Sequence, residues 1–242
     1  MRGVLLETPE LDAYGQMALD EVLLGRAEPE TVTLRFFRWP GASPVAAPAS
    51  APAGVTFGYF QEFAEVERQI RARGLGLSFP VARRMTGGGV VFHDGDVTFS
   101  VVFPWSRLLA ASWVYKDLHR GVHMGLKSFQ IPSRLWSPPD CRTGAVASCF
   151  AGPSPMDLVH EDGTKFMGGA LRRRGGSGLY QGSLRVEGFS APRAQLVRAV
   201  VEGVSLQWKT FFAPQGAPTD LVDDALRLRE ERYATDDWNK RR

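Results

Sequence analysis

Arg83-Arg84-Met85-Thr86-Gly87-Gly88-Gly89-Val90-Val91-Phe92-His93-Asp94 is the stretch on which the reading of this chain turns. Three consecutive residues without a Cβ let backbone N–H groups approach an anionic or carbonyl-bearing ligand closely. The triplet lacks the Gly-Lys-Ser/Thr that opens a helix in a phosphate-binding P-loop. A run of β-formers follows it instead of a helix, which also excludes a dinucleotide fingerprint. Arg83 and Arg84 precede it and His93 and Asp94 follow, so charge stands at both ends of the bend. Taken alone, a glycine triplet also serves as a purely structural bend between strands.

Working outward, Leu77 to Arg84 reads as a strand running into the bend, and Val90 to His93 and Val97 to Phe103 read as a hairpin turned at Asp94-Gly95-Asp96. Upstream, Tyr14, Met17, Ala18, Leu19, Val22 and Leu23 recur at helical spacing between Leu11 and Leu24, with Asp20 and Glu21 on the other face. Thr31 to Trp39 is a strand stopped by Pro40, and the Pro/Ala-rich stretch of about 40–54 reads as an extended insertion. Val55 to Phe60 is a further strand, and Glu62 to Arg73 a helix closed by Gly74 and Gly76.

Downstream, Trp113 to Phe129 reads as a helix and Ile131 to Cys149 as a turn-rich connector. Met156 to His160, Lys165 to Arg173 and Leu179 to Val186 form a three-stranded meander. Ser190 and Pro192 open a helix, and a last one covers about Leu221 to Arg232. Strands and helices alternate irregularly, which predicts an α+β fold with a mixed, largely antiparallel sheet flanked by helices, in one domain over 1–242.

Composition bounds the function. With 44% hydrophobic, 23% charged and 11% aromatic residues, the chain falls among globular proteins, not disordered or collagen-like ones. No apolar stretch approaches the roughly 20 residues of a membrane span, and the start lacks a signal-peptide apolar segment. Cytoplasmic residence is the expectation, with the two cysteines, Cys141 and Cys149, reduced. The net charge of +3 is small and scattered, so neither nucleic acid nor a membrane is an expected partner. Of the 29 basic residues only five are lysines (Lys116, Lys127, Lys165, Lys209 and Lys240). Lys165, near Arg172, Arg173 and Arg174, therefore points to a need for a compact ammonium.

Cys149 is the candidate nucleophile, since a thiol becomes reactive beside a cation, and Lys165 is the sequence-local cation. Free cysteine is also simply a small buried hydrophobe. His119 and His123 stand four apart on a helix, but without the Glu of a zinc-protease motif or a third ligand they read as a solvated face, with no metal. Arg172 to Arg174 reads as a solvated charge run able to meet a phosphate or an acidic protein.

Taken together, the glycine stretch closely resembles the signature of lipoate-protein ligases and octanoyltransferases. Gln16-Met17-Ala18-Leu19-Asp20-Glu21, Gly58-Tyr59-Phe60-Gln61, Gly163-Thr164-Lys165-Phe166-Met167-Gly168-Gly169-Ala170 and Tyr233-Ala234-Thr235-Asp236-Asp237-Trp238-Asn239 extend that resemblance over nearly the whole chain. It implies the biotin/lipoate protein ligase catalytic fold, similar to class II aminoacyl-tRNA synthetases. It also implies a substrate pocket built from Arg83, Arg84, Thr86, Gly87, Gly88, Gly89, His93, Asp94, Gly168, Gly169, Ala170, Gln181 and Gly182. Arg84 and the glycines would hold the acyl carboxyl region or an adenylate phosphate, and Lys165 the acyl carbonyl.

The family divides between thioester exchange through an acyl-cysteine and ATP-dependent ligation through an acyl-adenylate. Cys149-Phe150, Pro153-Ser154, Asp157-Leu158 and Lys165 look like the cysteine-dependent octanoyltransferases. That branch implies octanoyl-acyl carrier protein as donor, a lysine of a lipoyl domain or glycine cleavage H protein as acceptor, catalysis by Cys149 and Lys165, and no cofactor. The ligase branch implies free lipoate, ATP and Mg²⁺; a third possibility is a non-catalytic acyl-group or lipoyl-domain binder. The chain departs from the family pattern at Gln181-Gly182-Ser183, where His-Gly before a small hydroxyl residue is usual, and at Gly168-Gly169-Ala170-Leu171, where Gly-Ser-Ala-Gln is usual. Gln16 stands where Asn is usual.

Overall fold

A computed structural model of the chain describes residues 1–40, 52–106, 108–137 and 153–241. Most of the Pro/Ala-rich insertion and both cysteines, Cys141 and Cys149, lie outside the described residues. The elements in chain order are β1 (Arg2–Glu7), α1 (Ala13–Gly25), β2 (Thr31–Phe36), β3 (Gly54–Phe57), α2 (Phe63–Ala72), β4 (Val81–Arg83), β5 (Val91–His93) and β6 (Val97–Pro104). They continue with α3 (Ala111–Ser128), β7 (Arg134–Leu135), β8 (Leu158–Val159), β9 (Lys165–Arg174), β10 (Ser177–Leu184), α4 (Arg193–Trp208), β11 (Phe212–Gly216), α5 (Thr219–Leu228) and α6 (Asp236–Asn239). A π-helical turn at Arg229–Tyr233 extends α5.

Eight strands form a mixed sheet in the order β11-β1-β2-β6-β10-β9-β8-β7, and three form a small sheet in the order β4-β3-β5. β1 runs parallel to β2 and β11, and every other pairing in the large sheet is antiparallel. The expected α+β architecture and the β8-β9-β10 meander are present. β6 is buried along nearly its whole length because both its faces are covered. On one face α3 and α4 close a core through Leu118, Val122, Leu126, Leu196 and Val200. Elsewhere α1 and α5 join Val4 and Leu6 of β1 in a second cluster.

Three expectations are corrected. Val91–His93 and Val97–Pro104 do not pair as a hairpin: Asp94-Gly95-Asp96, with Gly95 at φ 123°, carries the chain from the small sheet to the large one. β1 and β11 were not expected. β11 contains Pro214 and little β-former character, and it is held as an edge strand by its parallel register on β1. The polar face assigned to α1 is also absent: Asp20 is fully buried, because the helix is covered by the sheet on one side and by α5 and the C-terminal segment on others.

Backbones approach closely where α3 crosses α4. A Cβ on Gly203 would stand 2.4 Å from the Gly121 carbonyl oxygen, and one on Gly125 would stand 2.1 Å from that of Ala199. Both contacts are backbone, so neither can yield by a rotamer change. Gly203→Ala is expected to lower unfolding free energy by about 1–3 kcal/mol, read by urea denaturation; an unchanged midpoint would contradict the packing described.

Candidate functional site

The glycine bend is braced from beneath. Tyr59 N donates to Thr86 O at 2.8 Å and Arg84 N to Phe57 O at 2.8 Å, while a Cβ on Gly58 would lie 2.0 Å from Gly88 O. Gly58 is thus required for the bend to rest on β3's exit, and Gly88 takes φ +89°. Arg84 is buried, giving Nη1–H to Thr56 Oγ1 at 2.9 Å and Nη2–H to the carbonyls of Gly87 (2.9 Å) and Gly89 (2.8 Å). Burial without a carboxylate among the described residues pushes its guanidinium down to about 10. With its carbonyls turned to Arg84, the bend leaves the N–H groups of Gly87, Gly88 and Gly89 without an acceptor among the described residues. Backbone N–H groups left free in this way are able to meet an anion.

Arg83 points elsewhere. Its guanidinium donates to the carbonyls of Tyr59, Gln61, Trp238, Asn239 and Arg241, and its own backbone is held by Asn239 and Trp238. Expected at the pocket, it instead clamps the C-terminal segment to the small sheet. Asp94 is also corrected: it is exposed, and the carboxylate beside His93 is the buried Asp96. Asp96 faces His93 Nδ1 at 3.1 Å and accepts from Ser183 Oγ at 2.6 Å and Thr98 Oγ1 at 2.8 Å. Burial alone would raise Asp96, but His93, Ser183 and Thr98 hold it below the ordinary carboxylate range. With Nδ1–H directed at Asp96, His93 Nε2 accepts from Thr56 Oγ1 at 2.9 Å, which fixes Thr56 as acceptor for Arg84.

Lys165 opens β9 with a half-exposed side chain, its Nζ 2.8 Å from Asp157 Oδ2. Asp157 is fully buried and also accepts from Ser154 N at 2.7 Å and from the Tyr115 hydroxyl. Gly169 N in turn donates to Tyr115 Oη at 3.2 Å. A Cβ on Gly168 would meet Lys165 Cε and Nζ at 2.6 Å, so the lysine folds back across a bare strand position and would have to shift for any side chain there. At Gly169 a Cβ would meet the Tyr180 ring at 2.3 Å. The glycine standing where serine is usual therefore makes room for Tyr180.

The solvated-face reading of His119 is overturned. It is fully buried, Nδ1 donating to Met156 O at 2.9 Å and Nε2 accepting from Tyr180 Oη at 2.7 Å, with Tyr115 stacked 4.0 Å away. Burial pushes its pKa down to about 4. His123 bonds Ser133 Oγ through Nδ1 at 2.8 Å, and among the described residues no third ligand joins a histidine pair. The missed signal was spacing: Tyr115, Leu118, His119, Val122 and Leu126 share one helical face. Gln181 donates to Asp20 Oδ2 at 2.6 Å and accepts from Thr86. Among Arg172, Arg173 and Arg174, the first lies 5.4 Å over the Tyr59 ring and the second 5.7 Å over Trp105.

A cavity of about 620 Å³ gathers Arg84, Gly88, Gly89, His93, Lys165 and Gln181 at its polar side, with Gly168, Gly169, Ala170 and Gly182 also in its lining. Met17, Phe37, Phe92 and Phe166 supply apolar wall. Thr86 supports it from below through Gln181. A second, more open cavity of about 640 Å³ shares Gly88, Tyr115, Ser154, Gly169 and Ala170 with the first. Cys149 lies outside the described residues. Among the described residues, neither cavity is lined by a carboxylate.

Residues 12–204 match the model of the lipoyl protein ligase A/B catalytic domain. The chain is 34% identical over 192 residues to octanoyltransferase LipM of Moorella thermoacetica, a match covering 74% of this chain and 63% of that protein. It is 28% identical to octanoyltransferase LipM of Brevibacillus brevis, across 93% of this chain and 94% of that protein. A crystal structure of lipoate-protein ligase A bound with ATP superposes with TM-score 0.77 at 22% identity, covering 99% of both chains. The bipartite lipoate protein ligase of Thermoplasma acidophilum superposes with TM-score 0.75 at 22% identity, covering 99% of this chain and 96% of that one. Among the described residues, no helix is long and apolar enough to cross a membrane.

His119 makes stability pH-dependent with a definite sign. An unfolded histidine takes up its proton near pH 6.5, the folded one only near 4, so the unfolded chain binds more protons between those values and stability falls as pH drops through them. The loss is on the order of 3 kcal/mol when complete. His119→Gln is expected to flatten the decline of urea-unfolding free energy between pH 7 and 4.5; an unchanged slope would refute the buried neutral imidazole.

Proposed function

The chain belongs to the lipoyl protein ligase A/B catalytic domain family, and from that premise we propose that it transfers an octanoyl group to a lysine of a lipoyl-domain protein through an acyl-thioester on Cys149. The observation that carries this reading is the convergence of Lys165 with Gly88 and Gly89, whose N–H groups have no acceptor among the described residues, on one apolar-walled cavity. About 620 Å³ lies in the ordinary range for small-molecule pockets. The similarity to octanoyltransferases LipM supports it further.

In the first half-reaction the Cys149 thiolate attacks the thioester carbonyl of octanoyl-acyl carrier protein. The tetrahedral oxyanion collapses, the carrier sulfur leaves as thiolate, and the octanoyl group stays on Cys149. In the second half-reaction the amine of the acceptor lysine, on a lipoyl domain or a glycine cleavage H protein, attacks the acyl-cysteine. The amide forms, the amine loses a proton and the thiolate is regenerated. Both oxyanions are met by fixed donors, the bend N–H groups and the Lys165 ammonium, which need no reorganisation as charge develops. Asp157, which also accepts from the Tyr115 hydroxyl, holds that ammonium in place. Cytoplasmic residence accompanies this reading.

The ligase reading would bring ATP and Mg²⁺. Mg²⁺ prefers carboxylate oxygens. The described lining of both cavities supplies cations and amide groups and no carboxylate, and Asp157 beneath it is committed to Lys165, Tyr115 and Ser154. Among the described residues no lining carboxylate offers that ion a ligand, and the similarity to octanoyltransferases LipM favours the cofactor-free transfer.

Incubation with octanoyl-acyl carrier protein is expected to add one octanoyl mass to the intact protein, and Cys149→Ser to abolish the adduct. No adduct on the unaltered chain, or octanoyl-adenylate made from ATP by Cys149→Ser, would overturn the proposal. Gly168→Ala is expected to push the Lys165 ammonium aside and slow adduct formation about 100-fold, with the thermal midpoint within a few degrees of the parent. A rate unaffected by that substitution would remove Lys165 from the chemistry.

A further inference from the structure

The outer cavity of about 640 Å³ adjoins the inner one. The two cavities meet at Gly88, Tyr115 and Gly169, beside the bend and the Lys165 corner. On the acyl-transfer reading the inner, apolar-walled cavity takes the octanoyl chain, and the shared lining is where a thioester would pass from one cavity to the other. Its sulfur-bearing half then has to run outward, away from the acyl chain.

The outer cavity is walled by the first turns of α3. Trp113 is 60% exposed at its mouth, a large aromatic face left uncovered. Lys116 holds its ammonium 5.4 Å from the Trp113 ring centroid and forms no ion pair among the described residues. In a chain with 24 arginines among its 29 basic residues, this is a second lysine placed on a cavity wall. A cavity lined by an exposed aromatic ring and an ammonium suits an amide-bearing chain that ends in a phosphate: the ring can cover the chain and the ammonium can meet the anion as a point charge.

We propose that the outer cavity binds the phosphopantetheine arm on which a carrier protein presents its acyl thioester, with Trp113 against the arm and Lys116 on its phosphate. The inference rests on the acyl-transfer reading and deepens it by assigning two residues to the donor's arm. An acceptor lysine side chain carries no anion for Lys116 to meet, so the phosphate distinguishes the two arms that could enter.

The test is equilibrium binding by calorimetry in the Cys149→Ser background, where the thioester survives, with octanoyl-4′-phosphopantetheine and octanoyl-pantetheine as probes. The phosphate is expected to tighten binding about tenfold. Lys116→Gln should erase that difference while leaving the Kd for octanoyl-pantetheine unchanged, and Trp113→Ala should weaken both probes. Equal affinity for the two probes, or a phosphate effect that persists in Lys116→Gln, would overturn the assignment. The comparison reads binding alone and is independent of adduct formation, so failure of the transfer reading shows separately, in the missing octanoyl mass on Cys149.

Discussion

A fully dehydrated ion pair lies at the centre of this molecule. Asp20 of α1 and Arg35 of β2 are both inaccessible to solvent, Nη2 to Oδ1 at 2.7 Å. Burial drives the guanidinium downward and Asp20 opposes that. Such a pair contributes little net stability by itself, but removing one partner strands a charge, at a cost of about 3–5 kcal/mol. It is tolerated because its donors and acceptors are matched. Arg35 gives Nε–H to Asp20 and its other groups to the Gln16 side chain and carbonyl, while Asp20 also accepts from Ser100 and Gln181. Four elements, α1, β2, β6 and β10, are thereby held in one register.

The site inherits its geometry from that register. Gln181 has one face committed to Asp20, so its carbonyl oxygen is left for Thr86, the residue that starts the glycine bend. Thr86 O then receives Tyr59 N, and the bend settles against Gly58. From the other side Arg83 ties β4 to the carbonyls around α6, so the C-terminal segment closes on the same strand that delivers Arg84. The two adjacent arginines have opposite duties because successive side chains of a strand point to opposite faces: one becomes a clamp, the other the cation under the glycines.

Local pattern carried the fold a long way. The β8-β9-β10 meander, α2, α3 and α4 were legible because their apolar periods and turn residues agree. Less visible were the features that depend on distant partners. β11 is a strand only because β1 offers it a register, and the 94–96 turn joins two sheets instead of two arms of a hairpin. In the site, Lys165, Arg84, His93 and the glycines were within reach of sequence, since they lie in dense local motifs. Tyr115 and Asp157 come from segments 42 residues apart, meeting through a single hydrogen bond, and no local spacing announces that. His119 was misjudged for a related reason: a polar residue on an apolar face is legible as buried only once its partners, Met156 O and Tyr180, are known.

The departures from the family pattern bear on how protons move. Gln181 replaces a usual histidine, and its amide is spent on Thr86 and Asp20. His119 does not take over. Both its nitrogens are engaged, it is sealed from solvent, and burial holds it neutral down to about pH 4. His93 is similarly committed, between Asp96 and Thr56. Lys165 differs: one N–H goes to Asp157, and two are left for the cavity among the described residues. On the proposed acyl-transfer reading, the absence of a histidine at 181 leaves the Lys165 ammonium, together with the bend N–H groups, to meet the oxyanion. A strand that keeps Gly168 and Gly169 bare is what lets that ammonium, and the Tyr180 ring next to it, occupy the space.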